Sequence, residues 1–263
     1  MLNKIFSGFK RHPLICSLFV SSVVLTLAVL VTYLWNFGSR PLSSSVEKWG
    51  QFGDYIGGVL NPSLAFISVV LVCMTLYSTS KQSSVQSFES ILFELLRFHK
   101  DNLSGIKVEY SEENKYTGRD ALSYYMMEIK FNLSFIVDDS LPLNDRLKES
   151  VDMVYMEDNN FSNVGHYFRN IYHIFKHIDD SDVLSEKEKI KYAKLVRAQI
   201  SSIESGALLL NGYSTAGLSA KKYIEKYSLL QGFSLINGFR NQLDVLGALE
   251  FYSDIAYKDK KGQ

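Results

Sequence analysis

From Leu14 to Trp35 the chain carries 22 residues without a charge, LICSLFVSSVVLTLAVLVTYLW. As a helix rising about 1.5 Å per residue, this run covers roughly 33 Å, enough to cross a bilayer core of about 30 Å. A second uncharged run, Tyr55 to Tyr77, reads YIGGVLNPSLAFISVVLVCMTLY. The first run is too long for the apolar part of a secretory signal. The expectation is therefore an N-terminal two-helix transmembrane hairpin.

Charge sets its orientation. Lys4, Lys10 and Arg11 precede the first span, so the N-terminus is expected in the cytoplasm, and two spans return the chain there near Ser78. Up to residue 80 there are five basic residues and two acidic ones; residues 81–263 hold 23 basic and 26 acidic. The expected layout is a cytoplasmic segment 1–12, a hairpin 13–80 and a cytoplasmic helical domain 81–263, in a bacterial inner membrane. Zero net charge argues against general nucleic-acid binding, and two cysteines in 263 residues exclude a disulfide scaffold or a Cys-cluster zinc module. Cys16 and Cys73 read as small buried hydrophobes.

The second span opens on FGDYIGGVLNPS. Gly53 and Gly57 have GxxxG spacing with Gly58 beside them, and small residues four apart let helices approach closely in lipid. Pro62 removes a backbone donor and disfavours helix at Asn61, so a kink is expected there. Asn61 has two candidate partners, a neighbouring helix or the carbonyls freed by the kink. The glycines either pack the hairpin on itself or form a face between subunits. Neither span holds a Lys, Arg or Glu, which argues against an ion pathway built on buried charge.

Beyond Tyr77 the pattern is helical throughout, and the expected fold class is all-α. Val85, Phe88, Ile91, Leu92, Leu95 and Leu96 suggest a stalk helix ending near Asp101, followed by a polar loop to Gly118. Three amphipathic stretches follow, over residues 118–136, 143–156 and 163–179. Ser185 and Glu188 form a capping box that opens the longest expected helix, out to about Leu210. Shorter helices are expected around SAKKYIEKYSLL and LINGFRNQLDVLGALEFY.

One helix carries a polar stripe. His166, Arg169, His173, His177 and Asp180 recur at intervals of three or four, opposite Tyr167, Ile171, Ile174, Phe175 and Ile178. Such a stripe suits a metal, an anion, RNA phosphate, a partner surface or a structural polar face. HExxH is absent, and the Arg169–His173 interval is one residue short of the Arg-to-His spacing of helical prokaryotic RNases. Arg197, Ser201 and Glu204 fall at i, i+4 and i+7 on the long helix; if it packs antiparallel to the striped helix, Arg197 and Glu204 would meet the His166–Arg169 face. No catalytic set, metal site or cofactor motif emerges. The contact candidates are His166, Arg169, His173, Arg197 and Glu204, with Gly53, Gly57, Gly58, Asn61 and Pro62 for packing in the membrane.

Several blocks together resemble the AbiC-like family of phage abortive infection proteins. They are FGDYIGGVLNPS at Phe52–Ser63 with FELLRFHKDN at Phe93–Asn102, VGHYFRNIYHIFKHID at Val164–Asp179, and KYAKLVRAQISSIE at Lys191–Glu204 with YIEKY at Tyr223–Tyr227. Ser205 and Gly206 interrupt the leucine-rich run that follows the glutamate in that family. The resemblance implies a role in halting phage propagation at the infected cell's expense. It suggests an inner-membrane effector restrained by a separate sensor, such as a retron reverse transcriptase with its DNA or a cyclic-nucleotide system. Expected partners are membrane lipid and further copies of the chain. The alternative is a membrane-tethered RNase or nucleotide-binding effector using the His/Arg stripe.

Overall fold

In the computed structural model, residues 13–39, 43–109, 115–135, 142–156, 160–235 and 248–258 are described. Among them the protein is all-α apart from one small hairpin. The chain divides into two compact units, Met1–Ser83 and Ser84–Gln263.

In the first unit, α1 runs Pro13–Phe37, and the 60-residue α2, Val46–Gly105, contributes residues to both units. Both helices are long and apolar enough to cross a membrane. The connection between the two uncharged runs is short, because α2 begins at Val46, nine residues before the second run. The joint STSKQSS stays helical: it is polar but lacks the Gly or Pro that would break a helix. The helix assignment also continues through Pro62. Tyr33 joins the two helices, its ring 4.5 Å from Phe52 and 5.8 Å from Tyr55. Large apolar side chains remain exposed along both helices, among them Val24, Leu27, Leu34, Phe66, Val69 and Leu76.

In the second unit the expected loop to Gly118 is corrected. It contains the end of α2 and the antiparallel strands β1 (Lys107–Glu109) and β2 (Lys115–Thr117), with Val108 opposite Tyr116. Three-residue strands are too short to give a legible alternation. Gly118 closes the hairpin at φ 58°, its N–H donating to the Ile106 carbonyl at 2.9 Å. Then come α3 (Arg119–Phe135), α4 (Leu143–Met156) and α5 (Asn160–Asp179). The buried residues Val164, Tyr167, Ile171, Ile174, Phe175 and Ile178 of α5 repeat at three and four, the apolar face read from sequence.

The single long helix expected from Ser185 is two. α6 is Glu186–Arg197 and α7 is Ser202–Asn211, each opened by a complete capping box, Ser185/Glu188 and Ser201/Glu204. Between them Gln199 and Ile200 donate back to the Val196 and Arg197 carbonyls, and Ser201 is extended at ψ 168°. α7 is the centre of the unit, buried from Glu204 through Asn211. Its Gly206 lets α3 and the following turn close on it: a Cβ there would stand 2.6 Å from Met126 Cε and 3.2 Å from Phe233 Cε2. A short α8 (Lys221–Lys226) follows a turn of 3₁₀ helix, Leu218–Ala220. Of the last expected helix, residues 236–247 lie outside the described residues, and Gln231–Leu235 and Ala248–Phe251 are 3₁₀ turns.

Candidate functional site

The polar stripe of α5 divides in two. His166, Arg169 and His173 are exposed. Arg169 donates from Nε to the Gly165 carbonyl at 3.2 Å and faces His166 Nδ1 across 3.3 Å. It makes no ion pair among the described residues. His177 is instead committed to packing: its ring stacks on Phe88 at 4.6 Å, and Nε2 donates to the Phe88 carbonyl at 3.1 Å. Asp180 pairs with Lys176 at 2.6 Å.

Arg169 and His173 border a cleft of about 260 Å³ between α5 and the turn that follows α7. Phe168 and Tyr172 supply its aromatic lining; Asn211 and Ser219 supply polar atoms from the facing wall. Gly217 closes that wall. A Cβ on it would stand 1.9 Å from the Asn211 carbonyl oxygen and 2.5 Å from Asn211 Nδ2, so the turn folds this tightly only on glycine.

Arg197 and Glu204 do not join this face. The helix break separates them, and Arg197 donates to the Tyr227 and Ser228 carbonyls at 3.3 and 3.4 Å. The Glu204 side chain is wholly buried, with other partners. Oε1 accepts from His99 Nε2 at 3.1 Å and from the Tyr167 hydroxyl at 3.2 Å. Oε2 accepts from Arg119 Nε at 3.1 Å and from the Ser201 N–H at 2.9 Å. Four donors fill the four lone-pair sites of a carboxylate, so Glu204 has no acceptor capacity left for a ligand. Burial pushes its pKa up; hydrogen bonds from His99, Ser201 and Arg119 outweigh that and bring it down to about 2. The network ties α2, α3, α5 and α7 together. Burial and the neighbouring carboxylate push the Tyr167 hydroxyl well above its ordinary pKa.

His99 and Arg119 were missed as site residues. The Ser201-x-x-Glu204 capping box was a local signal for the break, but nothing local marks a partner 105 or 85 residues away. Among the described residues no cluster of three or more His, Cys, Asp or Glu could hold a metal ion.

In the first unit, a Cβ at Gly53 or Gly58 would meet nothing within 4 Å. One at Gly57 would meet only Asn61 Nδ2, in the same helix, at 3.4 Å. Among the described residues, no atom of α1 comes within 4 Å of these Cβ positions. The Asn61 amide makes no hydrogen bond among the described residues. Around it the hydroxyls of Ser63, Ser68 and Thr75 donate to carbonyls four residues earlier, at 2.9–3.0 Å, so they need no outside partner.

The comparisons with curated proteins and with solved structures gave no match. A protein-family model does match, over residues 159–235, and this segment contains α5, α6, α7, α8 and nearly all of the cleft. Over that segment the chain is similar to the family described as putative phage abortive infection protein.

Proposed function

We propose that this chain is an inner-membrane effector of antiphage defence. In this reading α1 and the first part of α2 form a transmembrane hairpin, with the N-terminus and the helical unit in the cytoplasm. Copies associate through the Gly53–Gly57 strip and disrupt the membrane when a separate sensor, such as a retron reverse transcriptase with its DNA or a cyclic-nucleotide system, releases the helical unit. One observation carries the proposal: among the described residues, large apolar side chains of both helices stay exposed and no other helix approaches the glycine strip. Lipid satisfies the side chains, and a second helix satisfies the strip. The family match over 159–235 supports the defence role. The test is a membrane-potential dye in cells expressing the full chain, with and without phage, alongside a periplasm-active reporter fused after Gln263. Phage-dependent depolarisation with a silent reporter is expected. An active reporter would overturn the topology, and infected cells that stay polarised while protected would overturn the membrane mechanism.

A second reading draws on the cleft bordered by Arg169 and His173: a membrane-tethered RNase or nucleotide-binding effector. RNA cleavage by the full chain that is lost in His173→Ala would favour it over the first.

A further inference from the structure

We infer that the cleft between α5 and the turn after α7 binds a single nucleotide unit, its phosphate at Arg169 and His173 and its base against Phe168 and Tyr172. The inference deepens the second reading and is independent of the membrane reading, since binding is measured apart from both cleavage and depolarisation.

The phosphate-binding half rests on Arg169 and His173, one helical turn apart on the exposed edge of α5. The Gly165 carbonyl and His166 fix two sides of the guanidinium, leaving further N–H donors for a phosphate. Among the described residues no carboxylate pairs with Arg169 or His173. The Asp152 carboxylate, on the neighbouring α4, is held by the N–H and hydroxyl of Thr215 at 3.0 and 2.8 Å.

Asn211 points to a ligand independently of charge. The residue is only 6% exposed and lines the cleft, and its side-chain amide, which makes no hydrogen bond among the described residues, is left open to solvent there. An amide offers both a donor and an acceptor, the combination that reads the edge of a nucleobase. Ser219 adds a hydroxyl at the mouth.

Size and shape narrow the class. At about 260 Å³ the cleft is a little smaller than the roughly 300–1,000 Å³ usual for ligand sites, so it suits a single nucleotide unit held partly in the open better than a folded strand. Tyr172 is half-buried and offers ring surface to a planar base, with the more deeply buried Phe168 beside it in the lining. A free nucleotide and the terminal nucleotide of a strand present the same chemistry here.

The test uses the full chain in detergent micelles. Probes are AMP, 3′,5′-cyclic AMP, a 12-nucleotide single-stranded DNA with a 5′-phosphate, and inorganic phosphate, measured by titration calorimetry. At least one nucleotide probe is expected to saturate at a concentration where phosphate alone does not. Arg169→Ala and Asn211→Ala should each weaken it about tenfold or more, the loss expected for a charge-assisted or buried hydrogen bond. Ser219→Trp, at an exposed position on the mouth, should block binding with the melting temperature unchanged. Preference for AMP or cyclic AMP identifies a free nucleotide; preference for the DNA identifies a strand end. No saturation by any nucleotide probe up to about 1 mM, equal affinity for phosphate, or binding indifferent to all three variants would overturn the inference.

Discussion

Replacing Glu204 should do more damage to the helical unit than replacing any exposed charged residue. In Glu204→Ala, the Tyr167 hydroxyl and His99 Nε2 lose their acceptor inside the protein, where water does not reach them. Each buried donor left unpaired costs about 1–3 kcal/mol, and losing half of a capping box adds roughly 1 kcal/mol. The fourth donor is cheaper, because the Arg119 side chain is half exposed and can turn to solvent. The expected loss is about 4 kcal/mol, within the range for breaking a buried pair. With a urea slope of about 2 kcal/mol per molar, the midpoint should fall by about 2 M. The assay is urea unfolding of the full chain in detergent, followed by hydrogen exchange at the α7 amides. Arg119→Ala should shift the same midpoint by less than about 0.5 M. The pH dependence follows from the same carboxylate. Its pKa of about 2 lies below the unfolded value, so its contribution is complete above about pH 4.5 and is lost as pH falls toward 2. The shift corresponds to about 3 kcal/mol, and Glu204→Gln should remove that part of the acid sensitivity. A Glu204→Ala midpoint no lower than that of Arg119→Ala would refute the reasoning.

Arg169→Ala should leave the urea midpoint within about 0.3 M of the parent, because the side chain is exposed, whereas His177→Ala should lower it through lost packing on Phe88 and a lost bond to its carbonyl. Gly206→Ala should cost about 1–3 kcal/mol by overpacking against Met126 and Phe233, and Met126→Val in the same chain should restore part of it, as read by thermal unfolding. Asp179→Asn should loosen α8 from α5 by about 1 kcal/mol, since Asp179 accepts from Lys226 Nζ and the Tyr227 hydroxyl; faster exchange of the α8 amides is the check.

The apolar face of α5, the two uncharged runs and the Ser185 capping box were legible because each is a local pattern written in adjacent turns. The break before Ser201 was harder, since apolar spacing continues in phase across it; only the second Ser-x-x-Glu marked it. Strands β1 and β2 are too short for a period of two to show. Of the stripe, the sequence placed His166, Arg169 and His173 on one face but gave no sign that His177 turns inward to α2. Glu204 was read with Arg197 and Ser201 as one polar group at helical spacing, whereas in the fold it keeps company with other residues. Its partners His99 and Arg119 come from α2 and the start of α3, and only the tertiary fold brings them together.

The membrane reading turns on whether the glycine strip of α2 meets another copy. Gly57→Ile is suited to the question because a Cβ there meets only the Asn61 amide, at 3.4 Å, so the variant fits the isolated hairpin. Isoleucine is more apolar than glycine, so insertion should be retained. The decisive measurement is crosslinking of Gly57→Ile in membranes, read together with the depolarisation of phage-infected cells. A normal amount in the membrane, a smaller crosslinked species and no depolarisation are the predicted results. Unchanged crosslinking with full depolarisation would contradict the account and leave the glycine strip with no part in assembly.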